Sequence, residues 1–263
     1  MKKSSIIANI GINPKANSGA VNAGVFHAST IVFDSYADFQ KSWNGTFKGL
    51  TYGRYGTNTH RAFEQVMCKL EKSDHCLITN SGVSATSCVM LALLKTGDHV
   101  LVIDNAYSPT RDFCNNELKK FGIETTYYDP AIGAEIAKLI RPNTKLIYIE
   151  SPGSLTLEVA NVPAITKVAK KHNVITIMDN TWATAWFFDA LGHGVDVSIT
   201  SATKYIAGHS DVLMGTICCN SQLYPQIKRM HKSLGICAGA DDVYLALRGV
   251  RTLGVRLEHQ QKV

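Results

Sequence analysis

A chain of 263 residues is long enough for one large domain with a sizeable core, and 45% hydrophobic against 18% charged residues excludes a disordered or fibrous protein. The net charge of +6 is spread over scattered pairs such as Lys2-Lys3, Lys119-Lys120 and Lys170-Lys171, which argues against a nucleic-acid face while suiting anionic ligands. Seven cysteines without a C-x-x-C pair, Cys218-Cys219 being adjacent, read as reduced thiols of a cytoplasmic protein, and nine histidines without ligand spacing predict no metal.

The start, Met1-Lys2-Lys3-Ser4-Ser5-Ile6-Ile7, carries two positive charges, but Asn9 and Asn13 interrupt its apolar run, so neither a signal peptide nor a membrane span is expected. Residues 1 to about 60 are rich in Asn, Gly, Ser and Thr without sustained periodicity and predict an extended arm with short turns, lying on a partner surface. From Arg61 the pattern turns regular. A helix over 62–71 leads to a strand over 76–79, a glycine turn and an apolar helix over 84–94. A strand over 99–103, a helix over 112–121, a strand over 124–128 and a helix over 134–140 follow. Next come a strand over 145–150, a helix from Pro163 to His172 and a strand over 174–178. Strands over 195–200 and 213–219 and helices over 222–233 and 243–253 complete the chain. Short apolar strands without alternation predict an α/β fold with a mainly parallel sheet covered on both faces, and in such sheets ligands lie beyond the carboxyl ends of the strands.

Asp179, Ser81-Gly82 and the run Ser201-Ala202-Thr203-Lys204 all fall at such ends. A lone lysine is ordinarily solvated, but one that follows a buried strand is desolvated and becomes a usable nucleophile and base. Asp179 either caps a turn or pairs with a positively charged ring nitrogen. Ser81-Gly82-Val83-Ser84 stands between strand and helix, where N–H groups can meet a phosphate. Tyr107 either packs as a half-buried aromatic or stacks on a flat cofactor. Tyr52-Gly53-Arg54 is either a solvated turn or a phosphate fork supplied by a neighbouring subunit. An amine for an aldehyde, a carboxylate for a pyridine nitrogen and donors for a phosphate together suit pyridoxal phosphate chemistry.

The blocks Tyr52-Gly-Arg-Tyr-Gly-Thr57, Gly97-Asp-His-Val100, Ala106-Tyr-Ser-Pro109, Glu150-Ser-Pro-Gly-Ser154, Asp179-Asn-Thr-Trp182 and Ala202-Thr-Lys-Tyr-Ile-Ala-Gly-His-Ser210 resemble the Cys/Met-metabolism family of pyridoxal-phosphate enzymes. The resemblance runs from about Ala28 to the chain end and is most specific from Asp179 to Gly215. It implies the fold-type I, aspartate-aminotransferase-like sheet, with residues 61–256 as the cofactor-binding large domain and residues 1–60 as an arm contacting a neighbouring subunit. Lys204 is then expected to anchor pyridoxal 5'-phosphate and shuttle protons, Asp179 to hold its pyridine nitrogen, and Tyr107 to stack on the ring and assist proton transfer. Gly82, Val83, Ser201 and Thr203 would cradle the phosphate. Tyr52 and Arg54 would come from the adjacent subunit of a homodimer or homotetramer.

Gly153-Ser154 after Pro152, and the Tyr52-to-Thr57 block, resemble the β-acting rather than the γ-acting branch. That implies β-elimination of a cystathionine-like thioether amino acid to homocysteine, pyruvate and ammonia, a step of methionine biosynthesis. A broader cysteine-S-conjugate or cystine lyase and a γ-acting relative are the rival enzymes. Members of the family continue into a small C-terminal domain that supplies an arginine for the substrate carboxylate. Residues 257–263 are expected to be its start, with Arg251 and Arg256 in the connecting helix, and an inactive remnant or interaction subunit is the reading from another class.

Overall fold

Runs of four or five apolar residues can lie only in a sheet covered on both faces, and the computed structural model, which describes residues 1–263 except for the side chain of Ala16, contains that sheet. Helices α1 (Lys3–Asn9), α2 (Tyr36–Trp43) and α3 (Asn58–Glu71) precede β1 (His75–Thr79), α4 (Gly82–Leu93) and β2 (His99–Ile103). Then come α5 (Ser108–Asp112), β3 (Glu124–Tyr128), β4 (Thr144–Glu150), α6 (Val162–Lys171), β5 (Ile175–Asp179), α7 (Thr184–Phe187) and β6 (Val197–Ser201). The chain closes with β7 (Gly215–Cys219), α8 (Tyr224–Ser233), α9 (Ala240–Val250) and α10 (Leu253–Gln260).

The strand order is β1-β7-β6-β5-β4-β2-β3. Strands β2 to β6 run parallel, and β7 lies antiparallel between β1 and β6. Alternate residues of β1 and β7 enter opposite layers. Leu77, Ile217 and Cys219 join a core with α4, α6 and α8, whereas Cys76, Ile78 and Cys218 join one with α1, α3, α9 and α10. In α3 the inward residues Phe63, Val66, Met67 and Leu70 follow the i, i+3, i+4, i+7 spacing of one helix face and are at most 2% exposed. Each such burial contributes about 1.5–3 kcal/mol.

Three elements differ from the pattern in the sequence. The helix expected over 112–121 starts at Ser108 with Pro109 in its first turn, and continues through a wider π-helical turn over Phe113–Leu118. The one expected over 134–140 is a tighter 3-10 turn over Gly133–Leu139. The one expected over 243–253 is two helices broken at Arg251-Thr252. The first residues are also less extended than their composition implies: α1 buries Ile6 and Ile7, and Arg251 donates to the Ile10 carbonyl at 2.8 Å. Long-range partners such as these leave no trace in local periodicity. Among the described residues no helix is long and apolar enough to cross a membrane.

Glu71, at the end of α3, is 1% exposed; the Thr200 hydroxyl donates to its Oε1 at 3.4 Å, while Oε2 has no partner. Burial pushes this carboxyl from 4.5 up to about 7. The folded chain therefore keeps a proton that the unfolded chain has released, so its stabilisation is complete below 4.5 and is lost as pH rises through about 7. Between about pH 4.5 and pH 8 the wild type should lose about 3 kcal/mol more unfolding free energy than Glu71→Gln, measured by urea denaturation. Parallel pH dependence in the two proteins would rule out the buried acid.

Candidate functional site

The antiparallel insertion of β7 brings the end of β1 to the same edge as the ends of β4, β5 and β6. In register, Thr79 faces Gly215, Gly215 faces Ser201, and Glu150 faces Asp179. Beyond β1, Ser81 caps α4, its Oγ accepting from the Ser84 N–H at 3.1 Å. The N–H groups of Gly82 and Val83 sit in the first turn and have no intrahelical acceptor. A Cβ on Gly82 would lie 2.8 Å from both Cβ and Oγ of Ser201, so helix start and strand end touch only because residue 82 is glycine. Gly215 is similarly confined, a Cβ there falling 2.5 Å from the Thr79 hydroxyl.

Asp179 is tied to this contact through Thr181. The Thr181 N–H donates to Asp179 Oδ1 at 2.9 Å, and the Ser201 N–H donates to Thr181 Oγ1 at 2.7 Å. The Tyr148 hydroxyl donates to Asp179 Oδ2 at 3.4 Å. Burial raises the Asp179 carboxyl above its ordinary value, while the hydrogen bonds from Thr181 and Tyr148 pull the other way. Next to it, Glu150 is pushed up to about 7, first by burial and then by the Asp179 charge, against the donors Ser154 and the Tyr107 N–H. Two carboxyls on neighbouring strand ends therefore favour a positive group, and the α4 start a few residues away favours an anion.

Lys204 follows Ser201 in a turn, where its N–H donates to the Ser201 carbonyl at 3.1 Å. Its side chain is exposed, which corrects the expectation of a desolvated lysine: the turn projects past the end of β6 instead of continuing in its buried interior. Arg256 holds that turn, donating to the carbonyls of Tyr205 at 2.7 Å and Ile206 at 3.3 Å, and to that of Gly249 at 2.8 Å. Thr203 is a member of the cluster whose hydroxyl already serves the fold, donating to the Met214 carbonyl at 3.2 Å and accepting its N–H at 3.0 Å. Tyr107 presents a half-exposed ring beyond β2, and its N–H donates to Glu150 Oε2 at 2.8 Å.

Tyr52 and Arg54 are not joined to this cluster. Arg54 donates to the Lys232 carbonyl at 2.9 Å, and its guanidinium lies 4.7 Å from the Tyr55 ring centre and 5.7 Å from that of Tyr52. Arg251 and Arg256 both bind backbone carbonyls, as expected of residues at a helix connection. The sequence reading passed over Glu150, Thr181, Tyr148 and Arg256 as site residues. Glu150 carries the same signal as Asp179, an acid ending a strand, whereas Tyr148 acts across to a neighbouring strand and Arg256 reaches a turn from a distant helix, and neither carries a local signal.

The chain matches the family described as Cys/Met metabolism PLP-dependent enzyme over residues 4–263. It is 42% identical over 259 residues to cystathionine beta-lyase MetC of Escherichia coli, covering 97% of this chain and 66% of that one. It is 39% identical over 271 residues to an L-alanine/L-glutamate racemase of Wolbachia pipientis, covering 99% and 67%. The crystal structure of metB from Corynebacterium glutamicum superimposes with a TM-score of 0.90 at 30% identity, covering 97% of this chain and 65% of that one. The chain thus spans about two thirds of the length of these relatives.

Gly82→Ala should destabilise the fold by about 1–3 kcal/mol through the Ser201 overlap. Adding Ser201→Gly should restore part of that loss in a denaturant titration. Additive losses in the double variant would mean that the two residues do not meet.

Proposed function

The chain belongs to the Cys/Met metabolism PLP-dependent enzyme family, and from that premise we propose that it catalyses β-elimination of L-cystathionine to homocysteine, pyruvate and ammonia. The observation that carries this reading is the 42% identity to a cystathionine beta-lyase over 97% of the chain. The site supports the cofactor: the start of α4 meets Ser201, and burial raises the Asp179 carboxyl above its ordinary value, so a positive group beside it is favoured.

Pyridoxal 5'-phosphate, when bound, supplies a sink for the electron pair released at the substrate Cα. Gly82 and Val83 offer N–H groups to its phosphate, Ser201 and Thr203 offer hydroxyls, Tyr107 offers a ring face, and Asp179 offers a carboxylate to the pyridine nitrogen. Lys204 would anchor the aldehyde, and its Nζ would take the proton from the substrate Cα. The Tyr107 hydroxyl assists that proton transfer. The Cβ–S bond breaks as homocysteine thiolate departs, and the remaining three-carbon unit is hydrolysed to pyruvate and ammonia. General acid–base help of this kind contributes on the order of 10²–10⁴-fold.

In this reading residues 61–256 are the cofactor-binding large domain and residues 257–263 open a further C-terminal domain. Residues 1–60 reach a neighbouring subunit of a homodimer or homotetramer, where Tyr52 and Arg54 meet the phosphate. The present partners of Arg54, one carbonyl, the Tyr55 hydroxyl and two ring faces, are ones a phosphate can replace. Seven free thiols fit a reducing cytoplasm. A second reading, proton exchange at Cα without loss of a group, is favoured by the 39% identity to a racemase over 99% of the chain.

Mixing the wild type with pyridoxal 5'-phosphate should give a visible absorption band distinct from that of free cofactor, and Lys204→Ala should lack it. Persistence of the band in the variant would remove Lys204 from its role. Cystathionine should release pyruvate, with Asp179→Asn slowing turnover about 100-fold or more while cofactor stays bound. Release of 2-oxobutyrate instead would mean γ cleavage, inversion of L-alanine without pyruvate would mean racemisation, and bound cofactor with neither would favour an interaction role.

A further inference from the structure

In chain order, β2 is followed outward by β3, and the chain then returns to β4 and proceeds the other way through β5 and β6. The crevice between β2 and β4 is therefore where the order reverses, a place where loops part to admit ligands. Two loops meet there, residues 104–107 leaving β2 and residues 151–159 leaving β4. Glu150, the last residue of β4 and 7% exposed, binds both: Oε2 accepts the Tyr107 N–H at 2.8 Å, and Oε1 accepts the Ser154 hydroxyl.

The loops are also joined directly. The Ser154 N–H donates to the Asn105 carbonyl at 3.0 Å, and the Asn105 amide donates to Glu158 Oε2 at 3.1 Å. A Cβ on Gly153 would fall on the Asn105 side chain, so only glycine lets the loops close. A carboxyl buried after the run Leu146-Ile-Tyr-Ile149 costs free energy that the strand itself does not recover. Both of its hydrogen bonds instead fix residues outside the strand, and one of them, Tyr107, precedes α5 with a half-exposed side chain.

We infer that Glu150 is a positioning residue, its carboxyl clamping the Tyr107 backbone and the Ser154 loop so that the Tyr107 ring is held beside the strand end that carries Asp179. The inference rests on the proposed role of Tyr107 as a ring platform for the cofactor. The contacts of Glu150 themselves do not depend on it.

Backbone amide exchange in the full chain, with and without pyridoxal 5'-phosphate, tests the clamp. Glu150→Ala should speed exchange of the Tyr107 amide about 10-fold or more, leaving the amides of Ser84 and Thr181 unchanged. Glu150→Gln should restore protection, because its carboxamide oxygen can accept from Tyr107 and its NH₂ can donate to the Ser154 oxygen. If the alanine variant does not fold, Glu150→Leu fills the same buried space without an acceptor and should show the same faster exchange. The visible circular dichroism of bound cofactor should fall in Glu150→Ala and in Tyr107→Ala, and no further in the double variant. A Tyr107 amide indifferent to these substitutions, or a Glu150→Ala effect that persists undiminished without the Tyr107 ring, overturns the inference. A wild type that gives no visible band with pyridoxal 5'-phosphate sinks the cofactor reading instead, while amide exchange still decides the clamp.

Discussion

Covering one sheet on both faces is the constraint from which the other features follow. The inner strands β2, β4, β5 and β6 hold residues such as Leu101, Ile147, Ile177 and Ile199 at no exposure, and most polar side chains there meet a partner, Ser198 being an exception. His99 bonds to Thr144 and Thr126 across three strands, and Glu71 reaches Thr200 from the neighbouring helix. Elsewhere the polar groups are displaced to strand ends. Because β7 is antiparallel between β1 and β6, all of β1 to β6 deliver their last residues to one edge, and chemistry gathers there.

At that edge two opposite fields stand close together. The first turn of α4 presents N–H groups beside Ser201, while Asp179 and Glu150 crowd two carboxyls onto adjacent strand ends. In the proposed reading, a ligand carrying a phosphate at one end and a protonatable ring nitrogen at the other would relieve both, lowering the charge repulsion and occupying the unbonded donors. The contact of Gly82 with Ser201 sets how near the two fields come, and Thr181 couples it to Asp179 by hydrogen bonds on either side.

Lys204 is positioned differently from the acids. Lys204 lies on a turn held by Arg256 and by the close approach of Gly249 to the Ala207 carbonyl, so α9 and α10 reach the site through backbone contacts. Its side chain is exposed, and Arg54 keeps separate partners away from that turn.

Much of this was legible in the residues. Short, mainly apolar and β-branched runs place the inner strands, and Asp179 and Ser201 follow as the polar residues that end two of them; the same pattern at Glu150 was open to the same reading. Periodicity was silent about α1, the break at Arg251-Thr252 and the π-helical turn after α5, since each depends on partners far along the chain or on side chains packed from another layer. By itself, then, the sequence determined the strands, their polar ends and the family, because these are properties of short contiguous segments. Which ends become neighbours was decided only by the tertiary structure: the pairing of Glu150 with Asp179, the contact of Gly82 with Ser201 and the hold of Arg256 on the Lys204 turn are set by strand order and helix packing, which no local segment encodes.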